Sequence, residues 1–170
     1  NNSFWASYDI LIMMNETGVS PEPYIVNILD DIKKHYTDNN YDGVVGATCG
    51  LLEILLIWQE KYPHVLAGAS IVHSDIQQTI NWLLSKFPSQ SNYDKQTIIS
   101  TLHKYNSLIL KLGLSVNIPD ENDLKQQLDN TSINDFSKIT ELDICRLIEW
   151  HIIQNNTDGI NNCLIQLKNR

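Results

Sequence analysis

The sequence predicts an all-α protein built of antiparallel helix hairpins, and three observations predict it. Apolar residues recur at three- and four-residue spacing through most of the chain, which gathers them on one side of a helix. No stretch alternates apolar and polar residues for long enough to form a useful strand. A polar turn also recurs. Asn39-Asn-Tyr-Asp-Gly43 and Asn155-Asn-Thr-Asp-Gly159 lie 116 residues apart, and at that offset Ile28/Ile144, Ile32/Ile148, His35/His151, Asn40/Asn156 and Asp42/Asp158 coincide as well. A looser third copy runs from Ile80 to Asn92-Tyr-Asp-Lys95. Asn, Asp and Gly accept the left-handed backbone that ends a helix, because a short side chain or none avoids the Cβ clash. Asn40, Asp42, Gly43, Asn92, Asp94, Asn156, Asp158 and Gly159 are therefore the expected turn residues. Asp42 and Asp158 are expected to accept hydrogen bonds from N–H groups opening the helices that follow.

Each element follows from local pattern. Ser3 to Met14 carries Phe4, Tyr8, Leu11 and Ile12 at helical spacing, and Thr17-Gly18 stops it. Ser20 and Pro21 suit a helix start, and Tyr24, Ile25, Ile28, Leu29 and Ile32 make the next stripe. Val44 to Trp58 is apolar on nearly every face except at Glu53, the pattern of a helix buried all round. Pro63 ends it, and Leu66–Ile71 is an apolar connection. Ser74 with Gln77 reads as a capping box before Ile76, Ile80, Leu83, Leu84 and Phe87. Lys95 to Leu112 is a long helix closed by Gly113; it and Val44–Trp58 are expected to be more buried than Pro23–Tyr36, Ser74–Phe87 and Asp143–Ile153. Residues 115–138 form a polar loop, with a short helix from Pro119-Asp120 to Leu128 and loop at Asn130-Thr131-Ser132. Thr140 with Asp143 is a second capping box, opening a helix through Ile153. Ile160 to Lys168 is the short last helix.

The whole, 1–170, is expected to be one domain. Both ends resemble cuts through a longer array, with Phe4, Trp5, Ile160 and Leu164 leaving apolar surface for a second copy or for missing sequence. A net charge of −8, with 42% hydrophobic and 19% charged residues, describes a soluble globular chain and excludes the basic face that nucleic acid requires. No apolar run is long enough for a transmembrane helix. Three cysteines without close spacing point to reduced thiols and a cytoplasmic setting.

Catalytic signatures are absent from the sequence. Cys49 and His73 are the candidate metal ligands, but zinc ligand spacing is lacking, and Cys49 on an apolar helix reads as a packed small hydrophobe. Asp30-Asp31 and the acidic string from Asp120 read as solvated surface. Trp5, Trp58, Trp82 and Trp150 suit either a cavity wall, through their π faces, or a core; core is the reading taken. His35 and His151 occupy equivalent positions near helix ends, where imidazolium favours the dipole.

Arg146-x3-Trp150-x3-Gln154-x4-Gly159 resembles the repeat of squalene and other terpenoid cyclases and of protein prenyltransferase β-subunits, departing from it where Asn161 replaces an aromatic. Ser3-Phe-Trp5 and Thr48-Cys-Gly-Leu51 resemble prenyltransferase strings. The resemblance implies part of an α/α toroid, or an open helical array, that encloses an apolar or peptide ligand. Tyr41-Asp-Gly-Val-Val-Gly46 resembles the opening motif of lanthionine synthetase cyclases, whose zinc is held by two Cys and one His in contexts this chain lacks. A third expectation is a non-enzymatic acidic helical module, of inhibitor or immunity type, that binds a basic protein partner. The sequence leaves open whether the chain is catalytic.

Overall fold

The structure is a computed structural model that describes residues 2–170 apart from 123, 127, 129–135 and 137–139. It is mostly helical: α1 (Asn2–Thr17), α2 (Glu22–His35), α3 (Val45–Lys61), α4 (Pro63–Gly68), α5 (His73–Lys86), α6 (Asn92–Lys111), α7 (Glu141–Ile153) and α8 (Thr157–Lys168). Residues 122, 124–126 and 128 are also helical, in the segment where a short helix is expected. Asn130-Thr131-Ser132 lies outside the described residues. Contacts group the chain into two compact units, Asn1–Ser85 with Tyr105–Val116, and Lys86–Lys104 with Asn117–Arg170.

The first unit is built on α3. Every residue from Ala47 to Trp58 is buried, as its all-round apolar pattern predicts. α1 rests on it at Gly50, where a Cβ would stand 3.3 Å from the rings of Phe4 and Tyr8. Phe4 is therefore buried, against expectation, and its ring lies 4.4 Å from that of Tyr41. Ile25, Leu29 and Ile32 form the buried stripe of α2 and Ile76, Ile80 and Leu83 that of α5. Pro63 does more than break α3. It opens α4, because its fixed φ and missing N–H suit a first helical turn, and Leu66 is buried there. Gly18 and Gly113 both have φ of +72° just past the ends of α1 and α6, as their positions predict.

One expected plain turn is a strand pair. Tyr36–Thr37 (β1) and Asn40–Tyr41 (β2) pair antiparallel, Tyr36 opposite Tyr41 and Thr37 opposite Asn40. Asp38 and Asn39 between them both have positive φ, the conformation of a two-residue primed hairpin turn. The Ser74 cap is also corrected. α5 starts one residue earlier, and Asp75 caps it instead, its carboxylate accepting the Val72 N–H at 2.8 Å. Gln77 is taken by Ser115, donating to its carbonyl at 2.8 Å and accepting its N–H at 2.7 Å.

The second unit packs Ile99, Leu124, Leu128, Phe136, Ile144, Leu147, Trp150 and Cys163 into one core. The Thr140–Asp143 capping box forms as expected: Asp143 N–H donates to Thr140 Oγ1 at 3.2 Å and Thr140 N–H to Asp143 Oδ2 at 3.0 Å. Gln96 ties α6 to α7 by donating to the Arg146 carbonyl at 2.7 Å. α6 corrects one expectation. Its buried positions (Gln96, Ile98, Ile99, Ser100, Leu102, Ile109) form a stripe, while His103, Lys104, Ser107, Leu110 and Lys111 are exposed, so it is amphipathic where α3 is not.

Candidate functional site

The repeated turns are alike in their Asn acceptors and unlike in surroundings. Asn39 (φ 64°) and Asn155 (φ 52°) are both left-handed. The hydrogen-bond acceptors are Asn40 and Asn156, each taking the N–H of the glycine three residues on, and not Asp42 and Asp158 as expected. Only Asn156 is a helix N-cap in this way, since α3 starts five residues after Asn40. An Asn reaches forward to the N–H three residues on as well as an Asp does, and here it stands at the residue where the chain turns. Asp42 bonds His35 at 2.9 Å instead, and Asp158 is exposed in the first turn of α8, where its charge favours the helix dipole. Gly43 is needed for its φ of +71°, whereas Gly159 is helical and needed for space, since a Cβ would fall 2.5 Å from the His151 ring. His151 is buried, with Asn156 Nδ2 at 3.2 Å. In the third copy Ser91 takes the capping place: its Oγ accepts the Asp94 N–H at 3.2 Å, and Asn92 is already helical. These residues hold turns.

Among the described residues no three His, Cys, Asp or Glu side chains form a set that could hold a metal ion. Cys49 is buried in α3 and His73 is exposed at the start of α5. Cys145 is exposed, and Cys163 is buried in the second core, where desolvation pushes its thiol up to about 11. Trp58 and Trp150 are core residues; Trp5 is not, being 45% exposed.

The polar exception within α3 makes a cluster of its own. Glu53 is 6% exposed, and its carboxylate accepts from Tyr8 at 2.6 Å and from Tyr105. Desolvation, and then the bond to Glu53, raise the Tyr105 phenol above its ordinary value. One acid in an otherwise apolar helix was the signal for this cluster. It ties α1 and the end of α6 to α3.

Val19, Tyr24, Val44, Val72 and Leu110 are exposed elsewhere in the first unit; the outer side of α1 carries such residues together on one helix face. Ala6, Asp9, Ile10, Met13 and Glu16 are all exposed, and steps of three and four residues put them on one face. Ile10 is 54% and Met13 62% exposed. The opposite side, with Phe4 and Leu11, is buried. Trp5 stands at the edge of this face, edge-on to Phe4 and Tyr8 with centroids 5.2 and 5.6 Å away. In the second unit Ile152, Leu164 and Ile165 are exposed, and Leu164 is so as expected. No helix among the described residues is long and apolar enough to cross a membrane. Comparison with protein-family models, with curated proteins and with solved structures gives no match.

Proposed function

We propose that the chain acts as a non-catalytic helical interaction module whose partner docks on the outer face of α1. The observation that carries this is the exposure of Ile10 and Met13 on a helix whose other side is packed. A surface helix ordinarily keeps its outward positions polar. Full burial of such a side chain is worth about 1.5–3 kcal/mol, and covering the exposed half of each recovers about half of that. Asp9 and Glu16 share that face, so the complementary surface is an apolar groove with a basic rim. Such a helix-in-groove contact draws affinity from the apolar anchors and encounter rate from the charges. The net charge of −8 acts in the same direction.

The test uses two synthetic amphipathic helices with the same Leu face, one with Lys and one with Glu on the polar side, titrated against the labelled chain. The Lys helix binds more tightly by about tenfold or more, and amide shifts concentrate on Ala6, Ile10 and Met13. Equal binding of the two, or shifts spread away from α1, would contradict the proposal.

The α/α-toroid relationship is a second reading. What supports it is the shared left-handed Asn39/Asn155 and the shared acceptors Asn40/Asn156, 116 residues apart in an otherwise divergent sequence. On this reading the chain is a relative of the terpenoid cyclase and prenyltransferase toroids that binds an apolar or peptide ligand. Asn40→Ala and Asn156→Ala then each lower stability by a similar amount, on the order of 1 kcal/mol for the one bond to the glycine N–H that each removes. A loss at only one of the two would remove the equivalence.

A further inference from the structure

A recess in the first unit lies away from the outer face of α1. The last turns of α1 and α3 and the loop between α1 and α2 enclose about 140 Å³, walled by Met14, Val19, Ile57, Trp58 and Tyr62, with Lys61 at hand. Trp58 and Ile57 are buried, while Val19 and Lys61 are exposed, so the recess has an apolar floor and opens to solvent. Gly18 leaves one wall clear, with no atom within 4 Å of where its Cβ would be. The volume is close to that of an apolar cavity of about 150 Å³ known to hold one benzene ring.

The charge beside this recess is unbalanced. Lys61 Nζ donates to Asn15 Oδ1, a neutral acceptor, and among the described residues no carboxylate pairs with it. Glu60, its neighbour in the chain, is held by Lys111 at 2.6 Å. An ammonium has three N–H donors and Asn15 uses one. We infer that the recess binds a ring-sized apolar group carrying a carboxylate, with the ring against Trp58 and Ile57 and the carboxylate on Lys61. Two sources share that chemistry: a free aromatic acid, and the C-terminal residue of a peptide. This inference does not rest on docking at α1, since residues and ligand both differ.

Phenylacetate, benzyl alcohol as its uncharged counterpart, and a tetrapeptide ending in Phe are titrated into the isotope-labelled full chain. Phenylacetate moves the Trp58 indole N–H and the Gly18 amide along a saturating curve. Lys61→Met, an exposed change that leaves the core intact, weakens it by about fivefold or more and leaves benzyl alcohol unaffected. Peptide binding tighter than phenylacetate identifies a chain terminus as the source; phenylacetate binding without the peptide identifies a free acid. Shifts that never saturate, or benzyl alcohol binding as tightly as phenylacetate, overturn the inference.

Discussion

α1 and α3 are both apolar around most of their circumference, yet the chain treats them differently. α3 is covered on every side from Ala47 to Trp58. α1 is covered only where Phe4, Tyr8 and Leu11 face inward, and Ile10 and Met13 stay in water. An all-round apolar pattern therefore says that a helix has apolar surface to cover. It does not say that its own chain supplies the cover. The uncovered remainder of α1 is where a partner is sought, while α3 is scaffold.

The contrast is sharpest in stability. Leu55 is fully buried in α3, and Leu55→Ala leaves a cavity costing about 2–5 kcal/mol. Ile10→Ala on the outer face of α1 changes stability by no more than about 0.5 kcal/mol. Chemical denaturation of both variants measures the difference, and similar losses would break the comparison. Glu53→Leu comes next, because it strips the acceptor from Tyr8 and Tyr105 where α1 meets α3; about 1–3 kcal/mol is lost. Glu53→Gln keeps an acceptor and loses less, so equal losses for the two would mean that the phenols do not depend on it.

Gly50 and Gly46 separate the close approach from the helix beneath it. Gly50→Ala puts a methyl 3.3 Å from Phe4 and Tyr8 and costs about 1 kcal/mol through displaced packing. Gly46→Ala meets only Trp5 at 4.0 Å, and better helix propensity makes it neutral or stabilising by up to about 1 kcal/mol. The two melting temperatures should shift in opposite directions, or by clearly different amounts.

The smallest stability effect is in alkali. Tyr105 keeps its proton in the fold above the ordinary value of 10.0, while the unfolded chain ionises there. The folded state then holds more protons, so stability is whole below about pH 10 and falls as pH rises further. Tyr36 and Tyr93, raised mainly by burial, act in the same direction. Tyr105→Phe should flatten the slope above pH 10; an unchanged slope would assign it to the other two.

Much of the fold was legible because each signal was local. The stripes of α2 and α5, the Thr140–Asp143 box and the stops at Gly18 and Gly113 each depend on a few neighbouring residues. The strand pair escaped because two-residue strands show no alternation, although Asp38-Asn39 between Tyr36-Thr37 and Asn40-Tyr41 is a hairpin-turn pair. Turn equivalence pointed to Asn40, Asp42 and their counterparts, whereas the left-handed pair is Asn39 and Asn155; it also misplaced the acceptor, because Asp and Asn in one turn both suit that role. Gly43 and Gly159 match in sequence for different reasons, one of backbone angle and one of space beside His151. Asp9 and Glu16 mark the outer face of α1, but nothing local says that Ile10 and Met13 on it stay uncovered. That depends on what packs against the helix.

The docking claim is tested most directly on one variant, Ile10→Asp/Met13→Asp, by measuring melting temperature and affinity for the Lys-faced helix together. Both side chains are exposed, so melting should hold within a few degrees, while affinity falls by about tenfold or more. Lowered melting with affinity retained would contradict the account, making this face part of the scaffold.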